Sequence, residues 1–267
     1  ARPRRRAGRR RAGVAGGDLG QHRLRDLIET ERLYQLLAPD LPTDFPPPKT
    51  LDAQLRGLPV PPNSLIGRDR EVATVRALLA IDEHGGRGEA DTRLVTLTGP
   101  GGAGKTRLSL HLAATLAPAF DDGVVFVPLA PITDSSLVLQ EIANRLGFQD
   151  PGGGTRDDLF AAIAPLDLFM VLDNFEQVMD ATPIVAEMLA ACPRLTVLAT
   201  SRERLNLRGE RELPVPPLPL PGEADLSEEY DLSLGGEALV ERVSESAAVQ
   251  LFLDRATATK PSFALTA

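Results

Sequence analysis

The chain has almost no cysteine: Cys192 is the only one in 267 residues, and it sits in an apolar helical context. That excludes a disulfide framework and a cysteine metal centre, and leaves a buried free thiol. Tryptophan is absent and aromatic residues make up 4% of the chain, too few for the stacking platforms that hold single-stranded nucleic acid. His22, His84 and His111 are scattered and offer no metal-ligand spacing. No apolar run approaches the length of a membrane span. The arginine-rich start is not followed by the apolar core of a secretory signal. A soluble, cytoplasmic protein with no membrane partner is expected, built as one large domain or as one domain with smaller pieces.

Charge is unevenly spread. Seven arginines occupy the first eleven residues, and removing them from the net charge of −8 leaves a body near −15. An acidic body is unlike the basic face of a nucleic-acid binder. Residues 1–17 lack periodicity and read as a disordered tail, with an arm for nucleic acid or acidic lipid as the other reading.

The most informative stretch is GPGGAGKT, Gly99 to Thr106, which fits G-x-x-x-x-G-K-[ST]. Glycines at Gly99, Gly101, Gly102 and Gly104, with Pro100 and Ala103 between them, let successive N–H groups point inward as an anion nest. Lys105 can reach β- and γ-phosphates and Thr106 can place its hydroxyl on Mg²⁺. The flanks agree: RLVTLT before the loop reads as a strand, and KTRLSLHLAATL after it reads as a helix whose N-terminus also favours phosphate.

Around it the chain alternates. Residues 18–38 suggest a hairpin or a strand–helix pair, and the proline-punctuated residues 39–63 a semi-rigid linker. A helix is expected over residues 73–80 and a strand over 123–129. Further helices are expected over 137–146, with Asp134 as N-cap, and over 156–163. The strand at 167–172 ends in Asp173, Thr182 caps a helix over 183–192, and the last strand covers 195–199. Continuous apolar strands alternating with helices argue an α/β fold, a parallel sheet covered on both faces. Residues 213–221 read as extended, 222–243 as an acidic loop, and 244–256 as a helix opening a second, helical domain that runs to residue 267. The nucleotide domain itself is expected over 64–221. The chain starts without Met and stops at FALTA in mid-domain, so it reads as a fragment.

Asp173 ends the strand in LFMVLDNFEQ, where a carboxylate can reach Mg²⁺ at the C-terminal edge of the sheet. The position after it is Asn174, which cannot act as a base. Glu176 either orients water or simply starts the next turn. Arg202, after the last strand in LATSRER, either senses a γ-phosphate or is a surface arginine. No N-K-x-D guanine motif occurs, which favours ATP over GTP.

Together LIGRDREV (65–72), LTGPGGAGKT (97–106), FMVLDNFEQ (169–177), LATSRERL (198–205) and GERELPVPPLPLP (209–221) resemble the STAND class of signal-transduction ATPases, relatives of NB-ARC domains. The resemblance implies a P-loop NTPase fold in which Gly67 and Arg68 pack near adenine and ribose. Gly99 to Thr106 would bind the phosphates, with Arg107 a further nucleotide-binding residue, Thr106 and Asp173 would hold Mg²⁺, and Arg202 would sense the γ-phosphate. It also implies an ATP/ADP switch acting on other domains or protein partners, or through a nucleotide-dependent oligomer. Residues 19–54 resemble the tail of bacterial class III adenylate/guanylate cyclase domains and their linker into such an ATPase. No cyclase metal carboxylates are present, so cyclase activity is not expected. Two functions remain open: a slow Mg²⁺-dependent ATPase switch of a bacterial signalling or transcriptional regulator, and a module that binds nucleotide without turnover.

Deleting residues 1–12 is expected to leave DNA affinity unchanged in a salt titration. A salt-sensitive affinity lost with the deletion would instead make that segment a nucleic-acid arm.

Overall fold

The computed structural model describes residues 15–23, 30–37, 55–59, 63–82, 84–148, 155–221 and 236–266. Strands β1 (Ala15–Arg23) and β2 (Thr30–Leu37) pair antiparallel, with a register shift between Asp18 and Gly20. Of the two arrangements expected for residues 18–38, the hairpin is the one that forms. Its first strand begins inside the stretch read as disordered, whose residues 1–14 lie outside the described residues. In β2, Leu33, Gln35 and Leu37 are half-buried while Arg32, Tyr34 and Leu36 are exposed, the period of two expected of a one-sided strand.

The remaining strands form one six-stranded sheet. They are β3 (Leu55–Arg56), β4 (Leu94–Thr98), β5 (Val124–Pro128), β6 (Phe169–Asp173), β7 (Thr196–Ser201) and β8 (Glu210–Pro214). Their order is β3-β5-β6-β7-β4-β8, and every pairing is parallel. Two members depart from expectation. β3 lies within the segment read as a linker, and β8 starts before the extended proline run. Both are edge strands, where proline and short length are tolerated because only one side of the ladder must be paired.

The helices are α1 (Asp69–Leu78), α2 (Lys105–Leu116), α3 (Val138–Leu146), α4 (Arg156–Ile163), α5 (Thr182–Ala191), α6 (Gly236–Ser244) and α7 (Ala247–Thr259). One face of the sheet presents Val125, Val127, Met170, Leu172, Val197 and Ala199 to α3, α4 and α5. The other presents Val124, Phe126, Phe169, Val171 and Leu198 to α1 and α2. Alternate residues of one strand thus enter opposite cores, so β5 and β6 read as apolar runs up to their last residue, while β4 and β7 add buried threonines. The fold is the P-loop NTPase α/β sandwich.

Local chemistry sets several helix ends. Thr155 and Asp158 close a reciprocal capping box at α4. Gly147 ends α3 in the left-handed region. Asp134 accepts from the Ser136 N–H, capping a 3-10 turn that leads into α3. Thr182 is not the cap expected of it. It lies inside α5, and its hydroxyl donates to the Met179 carbonyl. The acidic stretch expected as a loop up to residue 243 contains α6 from Gly236 onward, and the next helix begins at Ala247 rather than Ser244.

Phe120 and Phe169, both fully buried, stack with centroids 5.0 Å apart, and the Arg87 guanidinium lies 4.5 Å over the Phe120 ring. Arg87 also bonds Asp167 and Thr196, tying the loop before β4 to the strand ends opposite the phosphate loop. Phe169→Ala removes the stack from the start of β6 and is expected to cost about 3–5 kcal/mol in chemical denaturation of the whole chain. A loss below about 1 kcal/mol would show that this core collapses around the gap.

Candidate functional site

The phosphate loop joins β4 to α2, and local sterics shape it. Gly99 has φ +149°, and a Cβ there would collide with the Val215 carbonyl oxygen, so the loop can leave the sheet this way only with glycine. At Gly101, Gly102 and Gly104 a Cβ would meet nothing within 4 Å, which describes an open concavity over the helix start. Lys105, the first residue of α2, is buried, and its Nζ donates to the carbonyls of Gly99 (2.7 Å) and Pro100 (3.1 Å). The ammonium is thereby held along the rim of the loop.

Sheet order brings the second half of the site to this loop. β7 lies between β4 and β6, so the loop after β4 and the end of β6 flank one intervening strand. The Thr106 hydroxyl donates towards Asp173, 2.9 Å from Oδ1 and 3.1 Å from Oδ2. From the intervening strand the Thr200 hydroxyl donates to Asp173 Oδ1 at 2.7 Å and itself accepts from the Asn174 N–H at 2.9 Å. In the sequence Thr200 is only part of the exit from the strand. Its signal is a hydroxyl at a strand end, one strand away from a carboxylate at the end of another.

Asp173 is 4% exposed. Burial pushes its carboxyl above the usual carboxylate range. The Thr200 and Thr106 hydroxyls pull it back, the nearby Glu176 charge adds to the rise, and Lys105 opposes it. The donor set of a threonine hydroxyl and a carboxylate consists of hard oxygens and fits Mg²⁺. Among the described residues no group of three or more His, Cys, Asp or Glu side chains gathers elsewhere as a metal site.

Next to the loop lies a cleft of about 330 Å³. Leu65, Ile66, Pro217, Leu218, Ala248 and Leu251 supply its apolar walls, and Gly102, Ala103 and Gly104 supply the loop edge. An apolar slot opening onto a polar loop suits a flat apolar ring joined to an anionic chain. Gly67 has φ +65° and packs where a Cβ would collide with the Cβ of Ala247, so it sets the approach of α7 to this wall. Arg68 lines the cleft, but its guanidinium is committed. It pairs with Glu71 at 2.6 Å and donates to the carbonyls of Ala103 and Pro216 at 2.8 and 2.6 Å. Arg107 donates to the carbonyls of Asn63 and Ser64 at 3.0 and 2.8 Å. Asn63 in turn donates to Asp254 (3.1 Å) and accepts from Arg255 (2.7 Å), both on α7. This link between the phosphate-loop helix and α7 had no sequence signal.

Glu176 lies in the short 3-10 turn Phe175–Gln177 after β6, and Arg202 follows β7 directly. Their closest approach is Arg202 Nε to Glu176 Oε1, 3.6 Å. Asn174 takes the left-handed conformation at φ +63°. Pro100 is exposed on the loop and lies outside the cleft walls named above.

This arrangement, a glycine loop between a strand and a helix with a buried carboxylate across one strand, defines the P-loop NTPase class. Residues 89–213 match the family model of the AAA domain. Over 178 residues the chain is 40% identical to a Mycobacterium tuberculosis (strain H37Rv) protein named "Putative HTH-type transcriptional regulator", an alignment covering 66% of this chain and 17% of that protein. A second protein of the same strain, named as uncharacterized, is 36% identical over 206 residues, covering 76% of this chain and 44% of its own length. The chain therefore spans less than half of these relatives. Among solved structures, the STAND protein with a tetratricopeptide repeat sensor from Pyrococcus horikoshii aligns with TM-score 0.39 and 20% identity, over 71% of this chain and 29% of that one. Among the described residues, no helix is long and apolar enough to cross a membrane.

The raised carboxyl of Asp173 carries a sign. Its contribution to stability is fully present below the ordinary carboxylate pKa and is lost as pH rises through the higher folded-state value. Asp173→Asn keeps an acceptor for Thr200 and cannot ionise. It is expected to melt above the wild type at neutral pH, with the advantage vanishing in acid. Melting curves across that range check this, and an advantage that persists unchanged in acid would contradict it.

Proposed function

We propose that the chain carries an ATP/ADP-binding switch of a bacterial signalling or transcriptional regulator of the STAND, NB-ARC-like kind, with slow Mg²⁺-dependent ATP hydrolysis. The observation that carries this is the Thr106–Asp173 contact, 2.9 Å across one strand beside an open glycine loop. It brings the Thr106 hydroxyl and the Asp173 carboxylate together beside Lys105, the first residue of the helix that follows the loop. Thr106 and Asp173 would hold Mg²⁺, which when bound neutralises charge on the β- and γ-phosphates. Gly99, Pro100, Gly101, Gly102, Ala103, Gly104 and Lys105 would grip the phosphates. Gly67, Arg68 and Arg107 would shape the purine and ribose side, Arg68 as a strut rather than as a donor to the ligand. Glu176 and Arg202 stand at the sheet edge as candidates for orienting water and contacting a γ-phosphate. The mycobacterial relative's name supports a regulatory setting, and the likeness of residues 19–54 to a cyclase tail supports fusion to such a domain. A cytoplasmic location, action on other domains or protein partners, and nucleotide-dependent assembly belong to the same reading.

Asn174 favours a second reading, a module that binds nucleotide without turnover, because the residue following the buried carboxylate cannot accept a proton. Equilibrium binding of ATP and ADP with Mg²⁺, and phosphate release, measured for the wild type and Lys105→Ala, test both. Loss of the charged contact is expected to weaken binding by about ten- to hundredfold. Phosphate release above the Lys105→Ala control supports the ATPase, and equal release with intact binding supports the second reading. Binding unaffected by Lys105→Ala would overturn both.

A further inference from the structure

Two side chains at the C-terminal edge of the sheet, Glu176 and Arg202, pair with one another. In the β4–β7 pairing Thr98 is level with Ser201, so Arg202 leaves β7 at the edge where the phosphate loop leaves β4. Glu176 follows Asp173 by three residues at the same sheet edge, close enough for the two carboxylates to repel. The Glu176 side chain is 12% exposed and that of Arg202 is 68% exposed. Glu176 Oε2 is buried without a hydrogen-bond partner. A mostly buried carboxylate with one unsatisfied oxygen and a second carboxylate nearby is poorly compensated. Arg202, at 3.6 Å, is its one cationic partner among the described residues. That distance is an ion pair without a hydrogen bond, and the arginine's exposed side chain is free to swing. A guanidinium keeps its charge and meets a phosphoryl group with two parallel N–H donors, a stronger contact than the one it makes here.

We infer that Glu176 and Arg202 form an exchange pair. Arg202 serves either the Glu176 carboxylate or a γ-phosphate, and the two occupations exclude each other. The inference rests on the nucleotide reading of the Gly99–Thr106 loop and adds a regulator to it. With ADP the pair stays closed, and Glu176 is tied to the arginine. With ATP the arginine moves to the γ-phosphate and Glu176 is released towards the same space. Glu176 therefore works against ATP but not ADP, and it does so through Arg202. It is a positioning residue whose charge sets how well the site tells the two nucleotides apart.

The test is the ratio of ATP to ADP affinity, measured by equilibrium binding on the whole chain for wild type, Glu176→Gln, Arg202→Gln and the double variant. Arg202→Lys, which keeps the charge without the planar fork, is a further arm. Melting curves verify that each variant is folded. Glu176→Gln is expected to raise the ATP preference by about 3- to 10-fold, and Arg202→Gln to abolish it. The double variant is expected to match Arg202→Gln, and Arg202→Lys to fall between the wild type and Arg202→Gln. If Glu176→Gln raised the preference equally with and without Arg202, it would be acting directly on the phosphate and the exchange would be wrong. An unchanged ratio in Glu176→Gln would also overturn it. If the wild type bound neither nucleotide, or Lys105→Ala bound both as well as the wild type, the nucleotide reading itself would fall and the exchange with it. Lys105-dependent binding with an unaltered ratio removes the exchange alone.

Discussion

The rest of the site depends on one buried carboxylate, Asp173, held by hydroxyls from two different segments. Thr106 reaches it from the start of α2 and Thr200 from β7. Neither contact is local, since the partners lie 67 and 27 residues away in sequence. Both exist only because the crossover places β7 between β4 and β6 and ends three strands at one edge. Removing the carboxylate from water is unfavourable, and the two hydroxyls only partly compensate. A fold that maximised stability alone would place an apolar or amide side chain here. The carboxylate therefore marks a position where the fold tolerates a cost, as the proposed Mg²⁺ site would require.

This cost is tolerable because the sheet around it is strongly built. Cores on both faces leave the residues of β4, β6 and β7 buried along their length. A strand buried on both faces cannot slip by one residue without exchanging its two sets of apolar contacts. Register is what sets Leu172 opposite Ala199, just before Asp173 and Thr200, and Thr98 opposite Ser201, so the geometry of the edge follows from packing well below it. Arg87, with its contacts to Phe120, Asp167 and Thr196, fixes the opposite edge of the same strands. The two ends divide the work: one is anchored by satisfied side chains, and the other presents polar groups to a cleft.

The phosphate loop, Asp173 and the four central strands were legible in the sequence because each is a local pattern with one physical meaning. Glycines before Lys-Thr, or an apolar run ending in Asp, carry their structure with them. What a linear pattern hides is relational. β3 has only two residues, too short for a periodic signal, and β8 has mixed charged residues because an edge strand faces solvent. α6 lay hidden in an acidic stretch because its charges sit on an otherwise helix-forming run. Thr200 and Asn63 are ordinary polar residues until topology brings Asp173 to one, and Arg107, Asp254 and Arg255 to the other. Arg68 shows the reverse case. Its place beside the cleft follows from the motif, but its commitment to Glu71, Ala103 and Pro216 does not, since three partners at separations of 3, 35 and 148 residues leave no trace in a linear motif.

The cations of the site differ in what they would give up to meet a phosphate, and that difference sorts their roles. A new bond to phosphate stabilises the bound state only to the extent that it is stronger than the bond it replaces. Lys105 would leave two neutral carbonyls for a charged partner, so its exchange is favourable. Arg68 would leave a carboxylate and two carbonyls in a buried setting, so it stays where it is and braces the loop. Arg107 would leave the carbonyls of Asn63 and Ser64, and with them the link through Asn63 to α7, so its movement is tied to whether α7 stays docked. Arg202 would leave a carboxylate that has little other compensation, and the benefit depends on a terminal phosphate being within reach. On the proposed reading, gripping phosphate would fall to Lys105, which leaves only neutral carbonyls, and sensing its length to Arg202, which must first give up the weaker contact to Glu176.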